Sequence, residues 1–466
     1  MTGSVLPSSF RDPSGFVFLR DGILYRQVNL VHREHYDRLL ASGLYERLVS
    51  DGSLVTHQEA DLFPSAPDLA YKVLRPERVP FVSYPFEWCF GQLKAAALVT
   101  LAIQRTALDF GMSLRDASAY NIQFLRGRPT HIDTLSFETL REGEPWVAYR
   151  QFCQHFLAPL VLSRYRDARL GQLSRVHLDG VPLDLAAGLL PWRARVHPPL
   201  LLHLFLHART QRRHERTSAE AAQGNATGRK RRPFTIQAFQ GLVRSLERAV
   251  RGLRWEPGRS VWAGYYGEAE SYATEAMDHK RQIVADFVEQ ADPKVVWDLG
   301  ANTGLFSRIA ADRGATAVSF DLDPGAVEAN YRTVVERGET NVLPLVQDLT
   351  NPSPSIGWQN RERLSLLERG PADMTLALAL VHHLAIGNNV PLGVLADFLR
   401  QTCTWLAVEF VPKTDPKVKL LLATRDDVFP DYTAEEFERQ FERRFAIDRH
   451  EPIKGSERVL YLMRGR

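Results

Sequence analysis

The sequence is poor in cysteine, with three among 466 residues: Cys89, Cys153 and Cys403. None belongs to a C-x-x-C pair, so neither a disulfide framework nor a zinc site is indicated, and we expect a reducing, cytoplasmic environment. The chain also lacks a run of eighteen apolar residues, so we expect no membrane-spanning helix. The first fifteen residues do not join a basic region to an apolar core, so we expect no secretion signal.

An excess of one charge is also missing over the whole chain. Lys and Arg number 58 and Asp and Glu 55, a net charge of +3 that is too small to imply nucleic acid as a partner. The hydrophobic fraction of 44% and charged fraction of 24% are typical of a soluble globular protein. The exception is the stretch 209–232, with eight Arg or Lys and two Glu. It predicts an exposed, flexible linker, with a patch that binds an anionic partner as the alternative.

The most informative segment is a glycine-rich turn in the second half. An apolar run, 295–297, predicts a buried strand that ends at Asp298. The chain then passes through Gly300, Asn302 and Gly304 before a helical pattern begins. A ligand can lie against bare backbone at such a turn, because Gly has no Cβ and Asn tolerates positive φ. The free N–H groups of the new helix favour a carboxylate or phosphate.

The turn does not fit two common nucleotide motifs. In a dinucleotide fingerprint, G-x-G-x-x-G, the second and third glycines would stand where this chain has Asn302 and Leu305. A P-loop would need Gly-Lys-Ser/Thr, which does not follow. A second strand, 317–320, ends at Asp321, with Asp323 two residues on. An acidic residue about twenty positions after the turn is where Rossmann-like units grip a ribose diol.

The pattern D-x-G-x-N-x-G followed by D-x-D resembles the class I S-adenosylmethionine (SAM)-dependent methyltransferases. The resemblance covers roughly residues 260–466 and implies an α/β, Rossmann-like domain with a seven-stranded sheet and SAM as cofactor. The expected later elements follow in order: a strand 342–346 before Asp348, a strand 374–380 before Val381-His382-His383-Leu384, a strand 406–411, and paired strands 445–448 and 459–463 across a turn at Gly455.

This resemblance also implies which residues bind the cofactor. We expect no metal site. The cofactor-binding residues are Asp298 for the turn and the methionine amino end, Gly300 and Gly304 with Asn302 between them for close approach, Asp321 or alternatively Asp323 for the ribose hydroxyls, and Asp348 for the adenine amine.

Methyl transfer depends mainly on alignment of the acceptor with the methyl group, and a hydroxyl or ammonium acceptor also needs a general base. His382 and His383 follow the fourth strand at the edge where such sites lie, and either could be that base. The alternative is structural, with one ring packed below the cofactor. Glu409 could face the acceptor or serve as a structural carboxylate. An aromatic group before the first strand could cover the cofactor or simply pack: Trp262, Tyr265 and Tyr266.

The first half carries a second pattern, in residues 115–138. Asp116, Asn121 and Asp133 resemble the catalytic aspartate, metal asparagine and second metal ligand of the protein kinase and aminoglycoside phosphotransferase superfamily. Such oxygen ligands could hold Mg²⁺ against phosphates. The alternative is that these side chains cap turns and accept hydrogen bonds from backbone N–H groups.

Elements around this pattern also fit a kinase-like lobe of α+β type. We expect a hairpin over 16–28, a helix over 32–50, a strand and hinge over 79–88, and an apolar helix over 93–110.

The first half nevertheless departs from the kinase pattern in several places. Leu114 replaces the usual histidine of the catalytic loop, and a glycine-rich phosphate loop is missing. The strand that should carry a phosphate-gripping lysine offers Arg26 and Gln27, and Lys72 lies too close to the hinge. We therefore expect no phosphate transfer.

The sequence predicts three regions: an α+β domain over 1–205, a basic flexible linker over 206–233, and a methyltransferase domain over 234–466. A helix with apolar residues at helical spacing is expected over 234–255, packed on the methyltransferase domain.

The motifs D-A-S-x-Y-N, I-D-x-x-S-F-E, D-L-G-A-N-T-G and V-H-H-L, in this order, resemble a group of bacterial methyltransferases related to the nodulation protein NoeA. This implies a SAM-dependent methyltransferase whose acceptor is not identified, and we favour a small molecule or glycan. Two alternatives remain: an enzyme that also transfers phosphate with Asp116, Asn121 and Asp133, and a non-catalytic SAM-binding scaffold. The oligomeric state is not indicated.

Overall fold

The computed structural model describes residues 4–192, 194, 201–206, 235–258, 274–423 and 426–466. The chain forms two compact units, Met1–Glu256 with Ile356–Arg363, and Pro257–Ser355 with Leu364–Arg466. Within the described ranges, none of the helices combines the length and apolar composition that crossing a bilayer requires. The predicted linker stretch 209–232 and the aromatic group at 262–266 lie outside the described residues.

The first unit contains a five-stranded antiparallel sheet and two short hairpin-like ladders among its described residues. The sheet has the order β1-β2-β3-β5-β4, while β6 pairs with β9 and β7 with β8. The strands are β1 (Ser4–Val5), β2 (Gly15–Arg20), β3 (Ile23–Asn29), β4 (His57–Glu59), β5 (Ala70–Pro76), β6 (Met112–Leu114), β7 (Ile122–Leu125), β8 (Arg128–His131) and β9 (Phe137–Thr139).

The apolar residues of α3, the longest helix described in this unit, are largely buried. Eight α-helices are described here. They are α1 (Arg33–Ala41), α2 (Leu44–Ser50), α3 (Phe90–Asp109), α4 (Tyr149–Phe152), α5 (Ala158–Tyr165), α6 (Leu173–Val176), α7 (Leu183–Leu189) and α8 (Ile236–Gly252). Two π-helical stretches, Cys153–Leu157 and Leu201–Leu206, complete the set.

Two predicted elements of the first unit are confirmed and two are wrong. The hairpin over 16–28 is β2 and β3, and the helix over 93–110 is α3. The single helix expected over 32–50 is instead α1 and α2, because Gly43 adopts a left-handed φ of 82° between them. The strand expected over 79–88 is absent from this fully described stretch, which holds a short 3-10 turn at Pro85–Glu87.

The helix expected over 234–255 is confirmed as α8, but its predicted packing partner is wrong. It belongs to the first unit, where Lys94 of α3 donates to the carbonyl of Leu253 at 2.6 Å. The ring of Phe239 lies 6.4 Å from that of Trp146, measured between centroids. Helical periodicity identifies which face of a helix is apolar, and it carries no information about which surface that face meets.

The second unit is built on a seven-stranded sheet of order β12-β11-β10-β13-β14-β16-β15. The first five strands in this order are parallel, and β16 is antiparallel to both of its neighbours. The strands are β10 (Val295–Leu299), β11 (Thr316–Asp321), β12 (Val342–Val346), β13 (Ala372–Ala377), β14 (Cys403–Phe410), β15 (Phe445–Pro452) and β16 (Val459–Gly465).

One face of this sheet is covered by the first two helices of the unit. Phe287 and Phe306 from these helices join Val296, Met374 and Leu462 of the sheet in a single buried cluster. The described helices are α9 (Thr274–Ala291), α10 (Leu305–Ala311), α11 (Pro324–Arg337), α12 (Leu392–Thr402), α13 (Pro416–Leu422) and α14 (Ala434–Phe441).

The seven-stranded α/β sheet expected for the second half is confirmed, and its strand ends differ by a few residues. The fourth predicted strand, 374–380, stops at Ala377 because Ala379 has a φ of 49° and turns the chain. The pair across Gly455 is confirmed as β15 and β16.

Candidate cofactor-binding site

Five parallel strands bring their carboxyl ends to one edge of the sheet in the second unit. The glycine turn follows β10, Asp321 ends β11, and Asp348 lies two residues beyond β12. The turn that carries the two histidines follows β13, and Glu409 lies near the end of β14. The topology therefore places all the predicted cofactor residues at the same edge.

The glycine turn is tight because its residues adopt left-handed backbone conformations. The φ angles are 80° at Gly300, 50° at Asn302 and 79° at Gly304. A Cβ on Gly304 would lie 2.5 Å from Nδ2 of Asn330 and 2.7 Å from Nη1 of Arg308, so both side chains would have to shift to admit it. At Gly300 the nearest atom to a Cβ would be a methyl carbon of Leu380 at 3.6 Å, an ordinary contact. Gly300 is therefore needed for its conformation and Gly304 also for space.

The buried Asp298 side chain fixes the start of this turn to helix α10. Its Oδ2 accepts a hydrogen bond from Oγ of Ser307 at 2.6 Å, and Ser319 donates in turn to Ser307 at 2.8 Å. Burial raises the pKa of Asp298 to about 6, with nearby Asp321 acting in the same direction. Asp298 is thus hydrogen-bonded to helix α10, and Ser307 and Ser319 are partners that the sequence pattern did not identify.

Asp321 connects the second strand to the glycine turn. Its Oδ2 accepts from the backbone N–H of Asn302 at 2.7 Å, and its Oδ1 accepts from that of Asp323 at 2.9 Å. Burial raises the pKa of Asp321, and the backbone hydrogen bonds oppose that shift. Asp323 instead caps α11 by accepting from Gly325 N–H at 2.8 Å. Of the two alternatives for the ribose, Asp321 is the one joined to the turn.

Asp348 forms a local cap at the end of the third strand. Its Oδ1 accepts from the backbone N–H of Thr350 at 2.8 Å and from the hydroxyl of the same residue at 2.6 Å. Its side chain is therefore oriented by the loop that follows β12.

The two histidines lie side by side in a turn after β13. His382 is fully buried, His383 is partly exposed, and their ring centroids are 4.1 Å apart. Burial lowers the pKa of His382 well below its usual value and that of His383 to about 4, so both rings are neutral at pH 7. Neither ring nitrogen of His382 has a hydrogen-bond partner in the described part of the chain.

Glu409 is buried and does not present its carboxylate to solvent. It forms ion pairs with Lys280 of α9 and with Arg458, both of which are also buried. Sequence patterns missed these two cations. A signal for Lys280 exists, since it occupies a position of helix α9 between Ala276 and Val284, at the spacing of the buried stripe.

The polar residues predicted in the first unit are also brought together, around Ser136. Its hydroxyl donates to Oδ2 of Asp133 at 2.8 Å and accepts from Nδ2 of Asn121 at 3.1 Å. Asp116 accepts from Nε2 of Gln151 at 2.7 Å. Burial raises the pKa of Asp116, and the Asp133 charge adds to this effect.

The Arg26 guanidinium forms an ion pair with one of the two carboxylates in this cluster. Arg26 of β3 lies 2.5 Å from Oδ1 of Asp133, and both side chains are mostly buried. Burial alone would raise the pKa of Asp133, but Arg26 and then His131 outweigh it, and the pKa lies below its ordinary value. Within the described residues, no group of three or more His, Cys, Asp or Glu could hold a metal ion. These residues as arranged do not fit a divalent cation, because Arg26 occupies the carboxylate that would bind it.

Comparison with known proteins gives one close full-length relative. The nodulation protein NoeA of Rhizobium meliloti (strain 1021) is 39% identical over 461 residues, which cover 97% of this chain and 94% of the relative. No family model matches the sequence.

Similar solved structures include two methyltransferases. Magnesium protoporphyrin IX methyltransferase (ChlM) from Synechocystis PCC 6803, with SAH bound, has a TM-score of 0.31 and 17% identity, over 44% of this chain and 93% of that one. The bifunctional kinase-methyltransferase WbdD has a TM-score of 0.30 and 15% identity, over 44% of each chain.

Proposed function

Because the chain belongs to the family of the nodulation protein NoeA, we propose that it is an enzyme that transfers a methyl group from SAM to an acceptor. The observation that carries this proposal is the joint between the glycine turn and the second strand, where Asp321 accepts from Asn302 N–H at 2.7 Å. The hydrogen bond supports the proposal, because Rossmann-like units hold a ribose diol with an acidic residue that lies next to such a turn.

The proposed cofactor residues divide into those that shape the site and those that touch SAM. Asp298 holds the turn through Ser307, and Gly304 lets the turn approach helix α11. Asp321 would bind the ribose hydroxyls and Asp348 the adenine amine. When bound, SAM supplies a methyl group that its sulfonium makes electrophilic, so the chain has mainly to align the acceptor.

For the histidine pair we propose the structural role over the general base. A base works best when its pKa lies near the operating pH, whereas burial lowers the pKa of His383 to about 4. His382 is enclosed and packs on His383, which supports a role in holding the turn after β13.

The acceptor we propose is a small molecule or a glycan, and the first unit is proposed as an α+β domain that does not transfer phosphate. The ion pair between Arg26 and Asp133 supports this, since a phosphotransfer site would need that carboxylate for Mg²⁺. The flexible linker over 206–233 remains a proposal, while α8, which follows it, belongs to the first unit.

The function is tested by incubating the full-length protein with methyl-labelled SAM and a small-molecule extract of its own cells. We expect label to appear in an extracted compound with wild type and to be lost with Asp321→Ala. SAM binding without any transfer of label would favour the non-catalytic scaffold instead. A parallel incubation with ATP labelled at its γ-phosphate tests the bifunctional alternative, which transfer of labelled phosphate to the protein or to an extracted compound would favour.

A further inference from the structure

Glu409 stands out because a fully buried carboxylate reaches the backbone of the histidine turn. Its Oε2 accepts from the N–H of Ala379 at 2.8 Å and from Nζ of Lys280 at 2.5 Å, and its Oε1 accepts from Arg458 at 3.3 Å. We propose that Glu409 is a positioning residue that holds the turn 378–383 in the shape that binds the cofactor, with Lys280 and Arg458 holding its carboxylate in place. This inference rests on the proposed function, because it assigns the turn to the SAM site.

The turn needs such a support because its backbone is unfavourable by itself. Ala379 has a φ of 49°, a region that residues with a Cβ seldom adopt. The chain then closes on itself, since Leu380 O accepts from His383 N–H at 3.0 Å. The direction of the Ala379 peptide therefore determines where His382 and His383 lie. Among the side chains described, Glu409 is the one that hydrogen-bonds this N–H.

The two cations that pair with Glu409 are as deeply buried as its carboxylate. Its exposed fraction is 0%, and those of Lys280 and Arg458 are 1% and 2%. Arg458 also pairs with Asp415 at 2.7 Å, so the chain of charges is two cations and two anions. Burying an unpaired carboxylate is costly, whereas ion pairs with two cations offset that cost and fix the direction of the carboxylate.

A purely stabilising role explains this arrangement less well than a positioning role. Apolar residues of similar volume often stabilise a fold as much as a buried ion pair does, because removing charges from water is costly. An ion pair instead fixes the direction of each partner. Here the ion pairs fix the Glu409 carboxylate, which accepts from the backbone N–H of Ala379 in the proposed site.

The test separates the hydrogen bond to Ala379 from the charge of Glu409 with two double variants, called the Gln pair and the Leu pair. Lys280→Met with Glu409→Gln removes both charges but keeps a carbonyl oxygen that can accept from Ala379. Lys280→Met with Glu409→Leu removes both charges and the acceptor. Circular dichroism first confirms that both are folded, and calorimetry then measures their affinity for S-adenosylhomocysteine (SAH).

We expect the Gln pair to bind SAH within about threefold of wild type and the Leu pair to bind about tenfold more weakly, the size of one hydrogen bond. Asp373→Ala is the matched control, because it removes the oxygen that accepts from the backbone N–H groups of Lys294 and Val295 near the start of β10. It should lower stability and leave SAH affinity unchanged. Equal SAH affinity in the Gln and Leu pairs would overturn the positioning role.

A second readout keeps this inference separate from the proposed function. If wild type binds no SAH, the proposed function fails, while hydrogen exchange at the Ala379 amide still measures the positioning. Exchange about tenfold faster in the Leu pair than in the Gln pair would support it. Equal exchange in both would overturn it.

Discussion

At the scale of single residues, two largely buried carboxylates, one in each unit, are paired with a cation. Asp133 pairs with Arg26 in the first unit, and Glu409 pairs with Lys280 in the second. In each pair, the sequence pattern singled out the acidic residue as a candidate site residue and did not predict its cationic partner. Removing one partner should therefore cost much more than removing an exposed charge.

Arg26→Ala tests this in the first unit. It leaves Asp133 mostly buried beside Asp116 without a cation, and we expect the free energy of unfolding to fall by about 3 kcal/mol in chemical denaturation. The control is Arg47→Ala, which breaks an exposed pair with Asp51 and should cost less than about 1 kcal/mol. An equal loss of unfolding free energy in the two variants would show that the largely buried Arg26 ion pair stabilises the fold no more than an exposed one.

The histidine turn gives a prediction for pH. Burial lowers the pKa of His383 to about 4, below the value near 6.5 expected in the unfolded chain. The unfolded state therefore binds more protons between these values, and stability is lost as pH falls from about 6.5 to about 4. Denaturation of wild type and His383→Asn across this range should show the loss attenuated in the variant. An unchanged pH dependence would contradict the burial of this ring.

At the scale of elements, the sequence located the strands of the second unit well. It did not predict where β13 ends or the surface on which α8 packs. The five parallel strands of the second unit were predicted from apolar runs, four of which are followed within a few residues by Asp or His. Yet the end of β13 depends on Ala379, a residue with no turn preference, whose conformation is held by Glu409 from another strand. The partner of α8 was also missed, because an apolar stripe fits any apolar surface. Long-range contacts decided both outcomes, and local patterns do not encode them.

The glycine turn gives a prediction at this scale. Gly304→Ala puts a Cβ 2.5 Å from Asn330 as well as straining a left-handed residue, whereas Gly300→Ala adds only the strain. We expect Gly304→Ala to destabilise by about 2–4 kcal/mol and Gly300→Ala by about 1–2 kcal/mol in urea denaturation. A larger cost at Gly300 would mean that helix α11 lies further from the turn than the structure shows.

At the scale of the whole molecule, chain order and structural units do not coincide. Residues 356–363 lie between β12 and β13 in the sequence but belong to the first unit, where Arg363 lies 4.3 Å over the ring of Tyr120. Glu362 pairs with Arg11 in the same unit. No local pattern in the sequence indicates that this segment belongs to the first unit, because it is short and mostly polar.

This organisation changes what limited proteolysis should reveal. The eight Lys and Arg in 209–232 should make it the first stretch that trypsin cuts. The C-terminal fragment then still carries α8 and residues 356–363, which belong to the first unit. We expect the two fragments to elute together in size-exclusion chromatography and to separate only in denaturant. Separate elution without denaturant would contradict the assignment of α8.

The central claim is that the carboxyl edge of the seven-stranded sheet binds SAM, and calorimetry with SAH on the full-length protein tests it most directly. We predict a micromolar Kd, about −7 to −8 kcal/mol, and a loss of about a hundredfold with Asp321→Ala, whose carboxylate joins the turn to the ribose position. No binding by wild type, or equal binding by a folded Asp321→Ala variant, would contradict the account.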